Sequence, residues 1–593
     1  MAARFLRRPL ALAVAALFLL SACIPLNKAP DSHGDALTWS TWNGYDNFLQ
    51  LLGETCPDIE LEFISYTGRN RTGYSWAQMR GDDIPDIFIT SQVLDKDLAK
   101  ERLLDLSGYD FVNKFSTGML DQMAIDGGIY LLPVNYAMYG IFYNKTLMEE
   151  YGWKVPANFS ELESLCAKIE AAGLIPGVVG TQLTGSTFST VFNLAKTSWL
   201  TTPEGMGWER DFLAGNATAK DMWEDTMDYV QQYIDIGMLH TDPEDRSNPK
   251  LILDYLGNRK AVFCTAVTTV NISEFPDTGD ELGMMPFISE DGSKNIYMYN
   301  PVTYLGINKH LTEPGNEKKL ENAIRILSLI YSNEGQATFT GEDMPCVMSA
   351  IDSGEVPENS LIYDALQAFR DGRAFRMTYA GWESNLANMG QAYKEWFRGE
   401  NHMDGERCIS RMDELQDSSL TQSDLLYICE STADFSLEET ARLIGKALGS
   451  AADVDAAMVP IGEFHEGYAG VNSGVTGKLY AGKINDEIVS AICPTNEEGY
   501  AVMSMTGARV KELAQEGFDA DGNGNPYPYI LVTRGEKELL DSGVYEVVFL
   551  IHGYTEKVGE KESAKIYKGS LMDFLRIWLK EQRIVSPDGN PWG

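Results

Sequence analysis

Short apolar runs rich in β-branched and aromatic residues open the body of the chain and alternate with helical spacing. Residues 36–42 (ALTWSTW) and 59–66 read as strands, with a helix through Leu51 and Leu52 between them. Strand, helix, strand in alternation predicts an α/β lobe with a largely parallel sheet. Residues 129–145 break that rhythm: an apolar strand ends at Pro133, a polar and aromatic bridge follows (Asn135, Tyr136, Tyr139), and a second apolar strand over 141–143 leads into helices. A strand pair joined in this way can pass from one lobe to another.

The next helix is well signalled. Asn158 with Glu161 makes a capping box, Leu162, Leu165, Ile169 and Ala172 form one face, and Gly173 ends it. Residues 181–270 are helical and aromatic-rich and are expected to build a second lobe. Residues 297–309 read as a strand returning to the first lobe, and residues 317–339 as a helix with Leu320, Ile324, Leu327 and Tyr331 on one face. The helices up to Gly399 carry Trp382 and Trp396. From about Met412 the texture changes to short strands (425–429, 500–505, 529–533, 545–551) and helices (436–448, 508–515, and one carrying Leu571, Phe574, Leu575 and Trp578). That order predicts a compact α+β domain.

Charge and the start of the chain narrow the class. With 593 residues there is room for two to four domains. A net charge of −38 leaves no basic footprint for a nucleic-acid partner. Arg4, Arg7 and Arg8 precede an apolar segment over 9–20, and Leu20-Ser21-Ala22-Cys23 closes it. This resembles a bacterial lipobox, which implies that Cys23 is lipidated and anchors the protein on the extracytoplasmic face of the membrane. No other apolar run approaches the roughly 20 residues that a transmembrane helix needs. Apart from Cys23, the cysteines (56, 166, 264, 346, 408, 429 and 493) are widely spaced, odd in number and without C-x-x-C. Buried thiols are therefore expected rather than a metal cluster or a disulfide framework.

Three motifs in order carry a resemblance. Tyr130-Leu131-Leu132-Pro133, Tyr143-Asn144-Lys145 and the helix start at Pro156-Ala157-Asn158-Phe159-Ser160-Glu161-Leu162 resemble the inter-lobe crossing of extracellular solute-binding proteins of the sugar-binding family that serve ABC importers. Residues 81–89, 256–263 and 332–336 are similar to further segments of that family. The resemblance covers about residues 36–399 and implies an α/β, two-lobe periplasmic-binding-protein-like fold of type II. It also implies crossings near 133–141, 300–306 and Pro345, about which the lobes close on a solute. Where that family carries an aromatic after the 261–265 strand, this chain has Ala266, Val267, Thr268 and Thr269.

The end of the chain resembles a second family. Asn472-Ser473-Gly474, residues 481–484 and 488–494, Met505-Thr506-Gly507-Ala508-Arg509 and Ile584-Val585-Ser586-Pro587 resemble the C-terminal domain of 5′-nucleotidases. Val475, Thr476 and Gly477 stand where that family grips its ligand with arginine, and Pro494-Thr495-Asn496 replaces its stacking aromatic. The six histidines (33, 240, 310, 402, 465 and 552) fall at no ligand spacing, so a dinuclear metal site and catalysis are not expected. Residues 519–525 (DADGNGN) begin like an EF-hand loop but have Ile530 at the twelfth position, and a hairpin turn is the expectation.

The expected organisation is a leader (1–22), a lipidated cysteine and tether (23–35), a two-lobe solute-binding body (36–405) and a nucleotidase-C-terminal-like domain (412–593). The expected function is delivery of a solute, a carbohydrate, to ABC permease subunits, with no cofactor and no nucleic acid. Ligands of such sheets sit beyond the carboxyl ends of the strands. Stacking is therefore expected from Trp42, Tyr136 and Trp382, and hydrogen bonding from Asn43, Ser91, Gln92 and Asn135. A nucleoside-binding or nucleotidase-like protein, and a sensor or adhesin, remain alternatives at this stage.

Overall fold

The computed structural model describes residues 36–41, 45–66, 68, 70–265, 279–339, 347–351, 360–377, 382–422, 427–462, 474–493, 499–517, 529–550, 564–590 and 592. Cys23, Trp42, Asn43, Pro345 and the loop 519–525 lie outside them.

In Leu37–Thr41 the alternating Leu37 and Trp39 are fully buried on one face, which sets a sheet with a core on that side. This strand pairs parallel with Leu61–Ser65 and with Ile87–Thr90. The chain later completes the sheet with antiparallel strands. Tyr297–Ile307 lies beside Ile87–Thr90, Leu132–Tyr139 beside that, and Val347–Ser349 at the edge, while Ala374–Arg376 pairs with one end of Tyr297–Ile307. Trp39, Ile87, Val134 and Tyr136 pack on one face, and Trp76, Phe88, Leu131 and Tyr304 on the other. Asp86 fastens the amino ends of these strands. Its carboxylate accepts from the Thr38 N–H at 2.9 Å and meets Lys319 at 3.3 Å.

Two elements differ from their sequence patterns. Leu132–Tyr139 is one continuous strand, so Pro133 and the polar bridge lie inside the sheet. Pro133 is tolerated because it stands at the start of the strand, opposite Tyr304, where the ladder already shifts register. The helix expected over 317–339 is two, Glu317–Ile330 and Asn333–Phe339. The second restarts at Ser332, whose hydroxyl accepts from the Gly335 N–H at 2.9 Å. A Cβ on Gly335 would come within 1.9 Å of the Leu329 carbonyl, so only glycine fits this turn.

The second lobe holds a five-stranded sheet in the order His240–Thr241, Ile175–Val179, Ala261–Thr265, Ile141–Asn144, Leu282–Met285. Helices Phe159–Ala171, Thr184–Ala195, Pro203–Leu213, Glu224–Asp235 and Glu383–Arg398 surround it. Asn158 caps its helix as expected, accepting from the Glu161 N–H at 2.9 Å, while the Glu161 carboxylate reaches one residue further back to the Ala157 N–H. The helix Gly405–Gln422, across which the sequence texture changes at 412, also packs on this lobe. Gln416 donates to the Phe212 carbonyl, Asp413 accepts from the Ala219 N–H, and Met412 lies in the lobe's core.

The C-terminal module follows with a three-stranded sheet (Gly482–Ile484, Cys429–Ser431, Ile584–Val585) and a five-stranded one (Tyr529–Thr533, Ala456–Pro460, Val544–Leu550, Gly499–Thr506, Lys565–Lys568). Helices Leu437–Ala452 and Leu571–Gln582 cover one shared core. The Ser436/Glu439 capping box forms with both of its hydrogen bonds. The six described cysteines are buried; burial pushes Cys166 and Cys408 up to about 12 and Cys429 to about 11. Among the described residues no helix is long and apolar enough to cross a membrane, and no cluster of His, Cys, Asp and Glu is placed to hold a metal.

Candidate functional site

The site is framed by the places where the chain changes lobe. The first crossing is Tyr139-Gly140-Ile141, between the last residue of one sheet's strand and the first of the other's. A Cβ on Gly140 would lie 2.5 Å from the Met285 carbonyl, so the crossing strand can pass only as glycine. The return lies between Met285 and Tyr297, ahead of the 300–306 stretch expected from the sequence. The third crossing is not near Pro345. Asn333–Phe339 and Val347–Ser349 both pack on Leu132–Tyr139, so the chain is in the first lobe on either side of Pro345. It leaves instead after Arg376 and joins the second lobe by Trp382. These passages are adjacent, because Met298 is in register with both Tyr139 and Phe375.

Beyond the carboxyl ends of the parallel strands, the loop after Ile87–Thr90 is held by the indole of Trp76. Its N–H donates to the Thr90 hydroxyl at 3.1 Å and to the Gln92 carbonyl at 2.9 Å. The hydroxyls of Ser91 and Thr72 are hydrogen-bonded to each other. Ser91 and Gln92 are half-buried, so their side chains are held in place yet partly open.

Asn135 is buried in the central strand. Its amide donates to the Phe339 carbonyl at 3.0 Å, and its Oδ1 has no partner among the described residues. Tyr136, three residues before Tyr139 in the same strand, is buried between Tyr299 and Phe369, with ring centroids at 5.6 Å and 6.3 Å. Burial drives its phenol well above the usual range. Trp382 is fully buried in the second lobe's aromatic core. It stacks on Phe212 at 5.3 Å and donates its indole N–H to Glu209 at 2.9 Å. In this conformation Tyr136 and Trp382 are packing residues rather than open stacking platforms.

Two groups at the third crossing were not singled out from the sequence. Arg376 donates to the Tyr304 hydroxyl at 2.6 Å, and its Nε is buried without a partner among the described residues. Its only signal was its place as the third of three arginines spaced three apart, Arg370, Arg373 and Arg376. Lys196, 2% exposed, pairs with Glu209 at 2.6 Å and lies over Phe192 and over Phe375, the residue before Arg376. Burial lowers its pKa, and Glu209 opposes that shift. Its signal was a single charge inside TVFNLAKTSWL. Lys196 begins a π-helical turn, Lys196–Leu200, a distortion that recurs at functional sites.

Comparison with known proteins agrees with this architecture. Residues 43–337 match the family described as bacterial extracellular solute-binding protein. A multiple sugar-binding protein of Streptococcus mutans is 26% identical over 179 residues, 28% of this chain and 42% of the relative. An uncharacterized ABC transporter extracellular-binding protein of Pyrococcus horikoshii is 26% identical over 145 residues, 23% of this chain and 34% of the relative. The chain thus spans less than half the length of either of these relatives. Among solved structures, a binding protein of Bacillus subtilis in an open conformation aligns over 66% of this chain and 100% of its own, at 14% identity and a TM-score of 0.54. A sugar transporter of Bacillus licheniformis in complex with stachyose aligns over 64% of this chain and 98% of its own, at 18% identity and a TM-score of 0.50. The fold is that of the two-lobe solute-binding proteins.

Proposed function

We propose that the two-lobe body, whose residues 43–337 match the bacterial extracellular solute-binding protein family, takes a carbohydrate between its lobes and delivers it to an ABC permease. The observation that carries this reading is the match over residues 43–337, joined to a fold shared with a protein holding stachyose. Closure turns about the adjacent crossings at Tyr139–Ile141, between Met285 and Tyr297, and after Arg376. Ser91, Gln92 and Asn135 supply hydrogen bonds to sugar hydroxyls, with Trp42 and Asn43 from the neighbouring loop, and the unpartnered Asn135 Oδ1 and Arg376 Nε gain partners when ligand arrives. Tyr136 and Trp382 are assigned here to the walls that back the cleft. Lipidated Cys23 holds the protein on the outer face of the membrane.

The C-terminal module is read as a nucleotidase-C-terminal-like fold without catalysis. Its support is the strand Gly499–Thr506 turning at Thr506 into the helix Gly507–Glu516, where the Thr506 hydroxyl accepts from the Arg509 N–H at 3.3 Å.

A melting-temperature screen of the full chain against raffinose, stachyose, other oligosaccharides and nucleosides tests the reading. Ligand that binds only the folded state adds RT ln(1 + [L]/Kd), about 2.7 kcal/mol at a hundredfold excess over Kd. A rise with an oligosaccharide supports carbohydrate binding. A rise with nucleosides alone transfers the binding role to another ligand class.

A further inference from the structure

The helix Arg71–Arg80 is covered on both sides. Tyr74, Ser75, Trp76, Ala77, Gln78 and Met79 are six consecutive buried residues, where a helix lying on a sheet and facing solvent would bury one stripe. Trp76 and Met79 face the first lobe's core. Tyr74 faces the C-terminal module, in a cluster with Tyr66, Tyr480 and Ala491.

The second contact is made with specific partners at both ends of the helix. At its start, Tyr66 stacks on Tyr74 at 4.2 Å and donates its hydroxyl to the Ala491 carbonyl at 2.7 Å. Beyond its end, Asp83 accepts from Lys478 at 2.6 Å and from the Tyr480 hydroxyl at 2.8 Å. The Tyr480 ring fills the space over Gly81, where a Cβ would come within 2.3 Å of it. The Tyr74 hydroxyl accepts from the Lys478 N–H at 3.4 Å, so all three phenols at this boundary, Tyr66, Tyr74 and Tyr480, find partners across it, as a permanent interface requires.

We propose that the C-terminal module is a fixed extension of the first lobe, with Arg71–Arg80 as the shared element, so that ligand closure moves the second lobe alone. The last clause rests on the closure proposed above; the docking does not. The start of the helix also carries Thr72, whose hydroxyl holds Ser91. The docked module therefore braces the loop that presents Ser91 and Gln92 to the cleft.

Single-molecule energy transfer on the full chain tests this, with dyes introduced at the exposed positions 97 (first lobe), 163 (second lobe) and 580 (module). The 97–580 pair is expected to give one narrow population that does not shift with raffinose or stachyose. Lys478→Glu, which sets a carboxylate against Asp83, together with Gly81→Leu, which wedges Tyr480 away, is expected to broaden it. A broad 97–580 population in the unmodified chain, or one that shifts on ligand addition, overturns the proposal without recourse to any variant. If the 97–163 distance stays constant with every sugar, it is the closure reading that fails, and the 97–580 result still decides the docking.

Discussion

In the first lobe the loop after Ile87–Thr90 is held by neutral groups, an indole and three hydroxyls, and the buried charge of Asp86 sits at the far, amino end of the strands. In the second lobe the charge stands beside the crossing itself, where Lys196 and Glu209 are enclosed by Phe192, Phe375 and Trp382. Further pairs fasten its helices and strand ends: Asp245 with Lys394 and Arg398, and Asp280 with Arg259. Neutral hydrogen bonds are modest in net effect and insensitive to pH over the physiological range. A buried pair contributes little as a whole, yet losing one partner is severe, because the other charge is left in low dielectric. The second lobe is therefore the one whose integrity depends on specific charges.

The largest expected effect follows from breaking the enclosed pair. Lys196→Met should destabilise the second lobe by about 3–5 kcal/mol, and Lys196→Met with Glu209→Leu should recover a substantial part of it. Urea unfolding followed by tryptophan fluorescence checks both; equal losses in the single and double variants would mean that the pair's charge is immaterial. Next comes Gly390→Val in the helix Glu383–Arg398. A Cβ there would sit 2.0 Å from the Thr184 carbonyl, and the Gly390 carbonyl accepts from the Thr187 hydroxyl at 2.6 Å. Overpacking this helix contact should cost about 1–3 kcal/mol in the same assay.

A smaller loss is expected in the first lobe. Trp76→Phe keeps most of the packing and removes both indole hydrogen bonds, about 1–2 kcal/mol, with an effect that does not vary between pH 5 and 8. Faster amide exchange around residues 90–92 would report it. The smallest expected effect is an acid one. The Arg259 guanidinium holds the Asp280 carboxyl below its ordinary 3.8. A depressed folded pKa gives stability that is present above the unfolded value and is lost as pH falls through the folded one. Arg259→Gln should therefore lower the melting temperature at pH 6, and its gap to the unmodified chain should close below about pH 4.

Local chemistry made much of the fold readable. The first strand, the returning strand, the Asn158 cap and the turn at Thr506 lie close to where sequence places them, since each is decided by a few neighbouring residues. The crossings were harder. Pro133 looked like the end of a strand because its tolerance depends on Tyr304, far along the chain. The third crossing was drawn to a proline, while it is set by the strand Ala374–Arg376 pairing with Tyr297–Ile307.

The cleft shows the same limit. Ser91 and Gln92 follow a strand end, and the rule that named them needs only the direction of that strand. Trp382 was named as an exposed aromatic, but Phe188, Phe192, Phe212 and Trp223 close around it from a helical region that precedes it by well over a hundred residues. Lys196 stood as one charge in an apolar run and Arg376 as one of three arginines close together, and neither could be picked out before Glu209 and Tyr304 are seen beside them.

Calorimetric titration of the full chain with raffinose and with stachyose tests the central claim most directly. The account expects saturable heat at one site per chain for an oligosaccharide, weakened when Asn135 is replaced by Ala. Saturable heat from nucleosides, with none from any sugar, would contradict it.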